Sequence, residues 1–430
     1  MKYLFSTIVW GEDYAARFVD FSLPTQLAAG NLDGFPDIAE STYQLFTRRA
    51  DAERIVASAS WRHLQAMMAT EVRYLDELPA PARGADKYDL MSRYQGEVLK
   101  NCGGYDVVHF GYADLIWAMG GFAAAARRMA EGCDAVFAPG LPVLAGPFGD
   151  SIARASTHRA GAPMEITPRD LVAHTLANLH PIAQLNIWRS GNLSLAPAFQ
   201  LWEVPGQGVV MRWFHLHPVF MRTRIDGVPL PSVFEGSLDE GFIPRALSGL
   251  ERVHLMTDSD ELAFCSLMPD WSPGRSQLSC NGTNLAHWAE SYARFIHREF
   301  FKAAFRFHHR PIDPAQWAPV ERQSAALAAE LDARLALPDG ELRRSDLHAY
   351  WLRTRRGRRG DFWLGLAVIS GMKSIEALTG GQIAFLLLQR AWAAILVVGD
   401  RVPVLRRILR SASVRGVLAR IRETLIGKRD

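Results

Sequence analysis

Cysteine is scarce in this sequence: Cys102, Cys133, Cys265 and Cys280 are the whole complement in 430 residues. None stands at C-x-x-C spacing, so neither a zinc knuckle nor a disulfide framework is indicated, and a reducing compartment is expected. Phosphate-cradling signatures are missing as well. There is no G-x-G-x-x-G after a strand and no G-x-x-x-x-G-K-[ST], which argues against a dinucleotide oxidoreductase and a P-loop NTPase. No G-x-S-x-G nucleophile elbow occurs, and no H-E-x-x-H, which weakens serine-hydrolase and metalloprotease readings. Long clean apolar runs are lacking too. "FWLGLAVISGMKSIEAL" is interrupted by Lys373 and Glu376, and "GGQIAFLLLQRAWAAILVVGD" by Gln389 and Arg390. The second otherwise approaches the roughly 20 residues of a membrane span, but neither is a clean run of that length. "MKYLFSTIVWGEDY" meets acidic residues at once and has no small-residue cleavage site, so it reads as a first buried strand and not a signal peptide. A formal net charge of only +3 gives no reason to expect a nucleic-acid partner.

What is present is globular. Hydrophobic residues make up 49% and charged residues 22%, outside the range of disordered chains. The first third alternates strand and helix patterns. "KYLFSTIVW", "TYQLFTRR", "TEVRYL", "YDVVHFGYADLIW" and "CDAVFAPGLPVL" read as five strands. "GEDYAARFVDFSLPTQLAAG", "DAERIVASASWRHLQAMM", "KYDLMSRYQGEVLKNC" and "GGFAAAARRMAEG" carry helical spacing between them. Such alternation implies a mostly parallel, Rossmann-like sheet flanked by helices, with ligands at the carboxyl ends of its strands. "ITPRDLVAHTLANLHPIAQLNIW" follows as a helix, with Thr167 at its N-cap and Asp170 three residues on. "AFQLWEVPGQGVVMRWFHLHPVFMR" reads as a hairpin turning at "PGQG", and "RVHLMTDSDELAFCSLM" as a strand–turn pair. From Asn284 the pattern turns helical. Three regions are expected: 1–280, a ligand-binding domain; 281–340, a helical extension; and 341–430, a basic amphipathic tail. That tail contains "RTRRGRRG" and a further series of arginines among Val, Leu and Ile.

Six constellations could carry chemistry, four of them with a plainer reading beside it. In "WGEDY", Trp10 and Tyr14 could stack on a base and Gly11 lets a backbone approach a ligand; an ordinary βα turn with packed aromatics is the alternative. In "LFTRRAD", Thr47 could bond a ribose and Arg48 or Arg49 a phosphate; a solvated charge run competes. Asp114 lies inside the apolar "YADLIWAMGG", where a carboxylate must find a partner, a metal or a ligand. In "FHLHP", His215 and His217 alternate, so on a strand they share a face and could bind a metal or act as a base; hydrogen-bonded structural histidines are the alternative. "FEGSLDEGF" offers Glu235 and Asp239 as bases. "TDSDE" places Asp258 and Asp260 around Ser259, as Mg²⁺ or Mn²⁺ ligands or as an acidic turn.

With "VWGEDY", "LFTRRAD", "YADLIWAMGG", "FHLHP" and "DSDE" in hand, residues 1–270 resemble the bacterial nucleotide-diphospho-sugar glycosyltransferases of the GT-A type. The resemblance implies a Rossmann-like sheet with the nucleotide over its first strands, and an acidic motif that binds a divalent metal and the diphosphate. A later histidine completes the metal shell. Carried over, Trp10, Gly11, Tyr14, Thr47 and Asp114 hold the nucleotide; Asp114, Asp258, Asp260 and His215 are the metal candidates; and Glu235, Asp239 and His217 are the candidate bases. The chain departs from the family in one respect. The family's D-x-D closes the fourth strand, whereas here Asp114 has no second aspartate two residues away and the DSD comes much later. The implied activity is transfer of a sugar from a nucleotide-sugar donor to a glycan or lipid-linked acceptor, in cell-envelope polysaccharide biosynthesis. The basic tail fits an anionic membrane surface, hence a cytoplasmic protein peripheral to the inner membrane. Two other readings stay open: a non-catalytic glycan- or nucleotide-binding protein of the same fold, and a metal-dependent hydrolase using His215, His217 and the DSD.

Overall fold

All seven residues of Tyr3–Val9 are buried, the mark of a strand covered on both faces by helices. In the computed structural model this strand lies in the interior of the main sheet, paired on both sides. The structure describes residues 1–35, 38–79, 87–155, 161–234, 236–272 and 274–335. The described residues all fall within one compact unit. Glu235, the basic tail and its apolar runs lie outside the described residues.

In chain order the strands that matter are β1 (Tyr3–Val9), β2 (Thr42–Thr47), β3 (Ala69–Tyr74), β4 (Val107–Tyr112), β5 (Leu115–Trp117), β6 (Ala135–Ala138), β7 (Leu141–Leu144), β8 (Phe199–Val204), β9 (Gly208–Trp213), β10 (His217–Arg222), β11 (Val253–Leu255), β12 (Phe264–Met268) and β13 (Phe305–His308). Among the described residues the main sheet has seven strands in the order β11-β6-β10-β4-β1-β2-β3. β1 pairs in parallel with both β2 and β4, β2 with β3, and β11 with β6. β10 alone runs antiparallel, wedged between β4 and β6. The expected mostly parallel, Rossmann-like α/β architecture is therefore present.

Two strands read as continuous are each broken. "YDVVHFGYADLIW" divides into β4 and β5 at Ala113–Asp114, and "CDAVFAPGLPVL" into β6 and β7 at Pro139–Gly140. β5 and β7 leave the main sheet and flank β12 in a second one. Gly140 is needed at its break: a Cβ there would lie 2.1 Å from the Phe264 ring. The β8–β9 hairpin forms as expected, turning through Gly206 at φ 68°, and β13 adds a third strand.

The expected helical extension is helical only in part. Helices Gly282–Tyr292 and Phe295–Lys302 come first, β13 then returns to the hairpin sheet, and helix Pro314–Leu335 follows. Phe305 and Phe307 point inward while Arg306 is exposed, the period-2 pattern that makes this segment a strand. Among the described residues no helix is long and apolar enough to cross a membrane.

Candidate functional site at the carboxyl edge of the sheet

The parallel strands β1, β2 and β4 end together, and the loops that follow bring most of the expected residues to one edge. After β1 the chain passes Trp10 into Gly11, which sits at φ 90°, a conformation that favours glycine. The Gly11 amide donates to Asp51 Oδ2 at 2.8 Å, so "LFTRRAD" anchors the loop of "WGEDY". A Cβ at Gly11 would meet nothing within 4 Å, so the space beside this loop is open. The Trp10 ring is set edge-on against Tyr94, 5.5 Å between centroids. Thr47, at the end of β2, is fully buried, and its Oγ1 has no hydrogen-bond partner within the protein. Tyr14 is exposed, with the Arg17 guanidinium over its ring at 5.2 Å.

Asp114 sits at the turn out of β4. Its carbonyl accepts from the Leu267 amide at 2.8 Å, and Arg17 Nη1 lies 3.5 Å from the carbonyl of the same Leu267. Burial pushes the Asp114 carboxyl up to about 6; a backbone hydrogen bond and the charges of Arg17 and Lys87 pull the other way. Two residues earlier, Tyr112 accepts from Gln95 Nε2 at 3.0 Å. Burial raises that phenol well above its ordinary value, with the carboxylates of Asp239 and Asp114 adding to the effect. Asp239 reaches this point from the short helical turn Leu238–Phe242.

The two alternating histidines part company. β9 stops at Trp213 and β10 starts at His217, so the strand periodicity that would put both on one face does not run through them. His217 opens β10 with its ring 5.2 Å from Tyr112 and 5.7 Å from Phe264. Burial, then the neighbouring His109, drives it down to about 3, and its Nε2 is buried with no partner in the protein. A group that stays neutral to so low a pH is a weak base, which counts against His217 in that role. His215 turns to the helical side instead. Its Nε2 donates to the Tyr292 carbonyl at 3.2 Å, and its ring stands 4.6 Å from His297.

The acidic motif lies elsewhere, beyond the end of β11. Asp258 Oδ1 meets His308 Nε2 at 2.9 Å and also accepts the Asp260 amide at 2.9 Å. Arg169 forks onto Asp260, with Nη2–Oδ2 at 2.7 Å. Ser259 Oγ accepts the His308 amide, and the Ser259 amide donates to Arg306, so the motif pins β13 in place. His308 Nδ1 faces the Arg310 carbonyl at 2.8 Å. A carbonyl and a carboxylate both accept, so this ring makes both bonds only when doubly protonated. Burial by itself would lower His308, but Asp258, the Arg310 carbonyl and Asp260 outweigh it and raise its pKa. For Asp258, burial opposes the shift, but the His308 bond, the Asp260 amide and nearby charges hold its carboxyl below the usual range.

Among the described residues, Asp258, Asp260 and His308 alone bring three metal-type ligand atoms within 4.8 Å of one another. His308 thus takes the place expected of His215. Among the described residues, Asp114, Asp239 and His217 do not form such a group of three. Arg17, Gln95, Tyr112 and His308 went unnoticed in the sequence. Only Tyr112 had a local signal, two residues before Asp114 where a D-x-D would carry an acid.

No protein-family model matches this chain, and no curated protein matches it. Solved structures do match in part. Mouse xyloside xylosyltransferase 1 aligns at 16% identity over 37% of this chain and 60% of its own, with TM-score 0.23. The galactosyltransferase LgtC, in complex with donor and acceptor sugar analogues, aligns at 11% identity over 37% and 53%, with TM-score 0.20. A Bacillus anthracis protein described as a glucose-1-phosphate thymidylyltransferase aligns at 10% identity over 34% and 57%, with TM-score 0.21. The chain thus spans between half and three-fifths of the length of these three neighbours.

Proposed function

We propose that this protein is a sugar transferase that takes a nucleotide-sugar donor at the carboxyl edge of its main sheet and passes the sugar to a hydroxyl of a glycan or lipid-linked acceptor. The observation that supports the reading is that Trp10 and the open Gly11 loop follow β1 while Tyr112 and Asp114 close the paired strand β4, with Asp239 bearing electrostatically on Tyr112, at the edge where parallel sheets bind ligands. Trp10 and Tyr14 offer flat surfaces to the nucleobase, and Thr47 ends the neighbouring strand β2. Asp114 is suited to take the proton of the acceptor hydroxyl. A base works best when its pKa approaches the working pH, and burial has moved this carboxyl towards neutrality. Gln95 holds the Tyr112 phenol two residues before it, and burial and the Asp239 charge keep that phenol protonated.

A metal-dependent hydrolase built on the DSD is less well supported, because Arg169 and His308 already engage both carboxylates. A lipid-linked acceptor would agree with the arginine-rich sequence beyond Arg353, which suits an anionic membrane surface. The test is turnover. Purified protein is offered UDP-, GDP- and CMP-sugars with mixed acceptors, and free nucleotide is measured. Release that Asp114→Asn abolishes supports the proposal. Absence of donor binding and turnover, together with hydrolysis of a phosphoester or glycoside on adding Mn²⁺ or Zn²⁺, refutes it.

A further inference from the structure

A nucleotide diphosphate brings about two to three negative charges to its site, and something there must neutralise them. At the carboxyl edge the acidic groups are poorly arranged to do this through a divalent ion. The position two residues before Asp114 holds Tyr112, a phenol that burial and two carboxylates keep protonated and that Gln95 already engages. Among the described residues, Asp114, Asp239 and His217 do not gather three ligand atoms, whereas the DSD cluster does so beyond the end of β11 with its own arginine and histidine.

Positive side chains do converge on the edge. Arg17 closes helix Glu12–Arg17, which begins directly after the Gly11 loop. Its guanidinium lies 3.5 Å from the Leu267 carbonyl, while the amide of Leu267 donates to the Asp114 carbonyl at 2.8 Å, so the Arg17 head is held against the Asp114 turn. Among the described residues Arg17 forms no ion pair; its other neighbour is the exposed ring of Tyr14. Lys87, at the start of helix Lys87–Asn101, also bears electrostatically on Asp114. The Arg17 guanidinium and the Lys87 ammonium both supply positive charge near Asp114. A guanidinium further offers paired N–H donors that match two phosphate oxygens.

We propose that the donor's diphosphate is bound without a divalent metal, with the Arg17 guanidinium as its principal partner and Lys87 adding charge. The inference rests on the carboxyl-edge site described under Proposed function and specifies how that site takes its anion. It also assigns Asp114 a different part from a metal-binding aspartate: its carboxylate repels the diphosphate and serves the acceptor side instead.

The experiment measures binding of UDP, GDP, ADP and dTDP to the full chain by calorimetry, in excess EDTA and again with Mg²⁺ or Mn²⁺. One of these nucleotides is expected to bind equally well, within about twofold, in both conditions. Arg17→Ala is expected to weaken it about tenfold or more, as for loss of a charge-assisted contact, and Arg17→Lys by less. Asp114→Asn is expected to leave binding unchanged or tighter. Urea midpoints confirm that each variant is folded, and the Lys and Asn variants decide the matter if the Ala variant is not. Binding that disappears in EDTA, or that Asp114→Asn abolishes, or that Arg17→Ala leaves intact overturns the inference while the transferase reading stands. Failure of every nucleotide to bind in either condition overturns both.

Discussion

Replacing Asp258 separates a structural clamp from a metal site. The clamp joins three pieces of chain. Asp258 Oδ1 takes the His308 ring N–H and the Asp260 amide, and His308 is almost wholly buried. Asp258→Ala removes the charged acceptor and leaves a buried imidazole N–H unsatisfied. A hydrogen bond to a charged group contributes about 1.5–3 kcal/mol, and a stranded buried donor costs about 1–3 kcal/mol. These overlap, and Asp258 is one-third exposed, so the expected loss is about 2–3 kcal/mol. Asp258→Asn keeps an oxygen in place without its charge, and about half that loss is expected.

The pH dependence has a definite sign. The raised His308 stabilises the fold below its unfolded value near 6.5, and this is lost as pH rises through its folded pKa. The lowered Asp258 stabilises above its unfolded value near 4, and this is lost as pH falls through its folded pKa. The variants should therefore differ most from the native protein between about pH 4 and 6.5 and converge with it on either side. Urea denaturation followed by tryptophan fluorescence at pH 3, 5.5 and 8 reads this out. Equal stabilities, a pH-independent difference, or a native protein stabilised by Zn²⁺ or Mn²⁺ where Asp258→Ala is not would refute the clamp.

Further predictions concern other parts of the molecule. If Asp114 is the base, nucleotide release rises with pH through about 6 and levels off above, and Asp114→Asn removes that limb. Because its folded pKa lies above the unfolded value, ionised Asp114 destabilises the fold at neutral pH. Asp114→Asn should therefore gain about 1–3 kcal/mol at pH 8 and little at pH 4, measured by urea denaturation. Gly208→Ala places a Cβ about 2.0 Å from the Phe307 carbonyl, so the β9–β13 pairing must open, and a stability loss of at least 1 kcal/mol is expected. Truncation before Arg353 should move the protein from the pellet to the supernatant with anionic liposomes; unchanged partitioning would exclude the tail as the membrane contact.

The parallel half of the sheet was legible because β1, β2 and β4 are apolar runs separated by helices, and both features are local. The breaks were less so. Ala113–Asp114 and Pro139–Gly140 each turn the chain inside a run that remains apolar on both sides. The insertion of β10 between β4 and β6 depends on pairing across about 80 to 110 residues, which periodicity does not encode. The same distance hid the partner of the DSD. His308 stands 50 residues from Asp258, in a segment whose helical surroundings masked the alternation of Phe305, Arg306 and Phe307. The shared face expected of His215 and His217 is not formed because a strand boundary falls between them. Asp114 was found by a physical cue that survives ignorance of the fold: a carboxylate in an apolar run requires a reason.

The central claim is that the carboxyl edge, organised around Asp114, turns over a nucleotide sugar. The most direct measurement is nucleotide release from a panel of UDP-, GDP- and CMP-sugars by the native protein and by Asp114→Asn, side by side. Release from at least one donor by the native protein, and none above background by the variant, is expected. Equal release by the two, or no release from any donor, would contradict it.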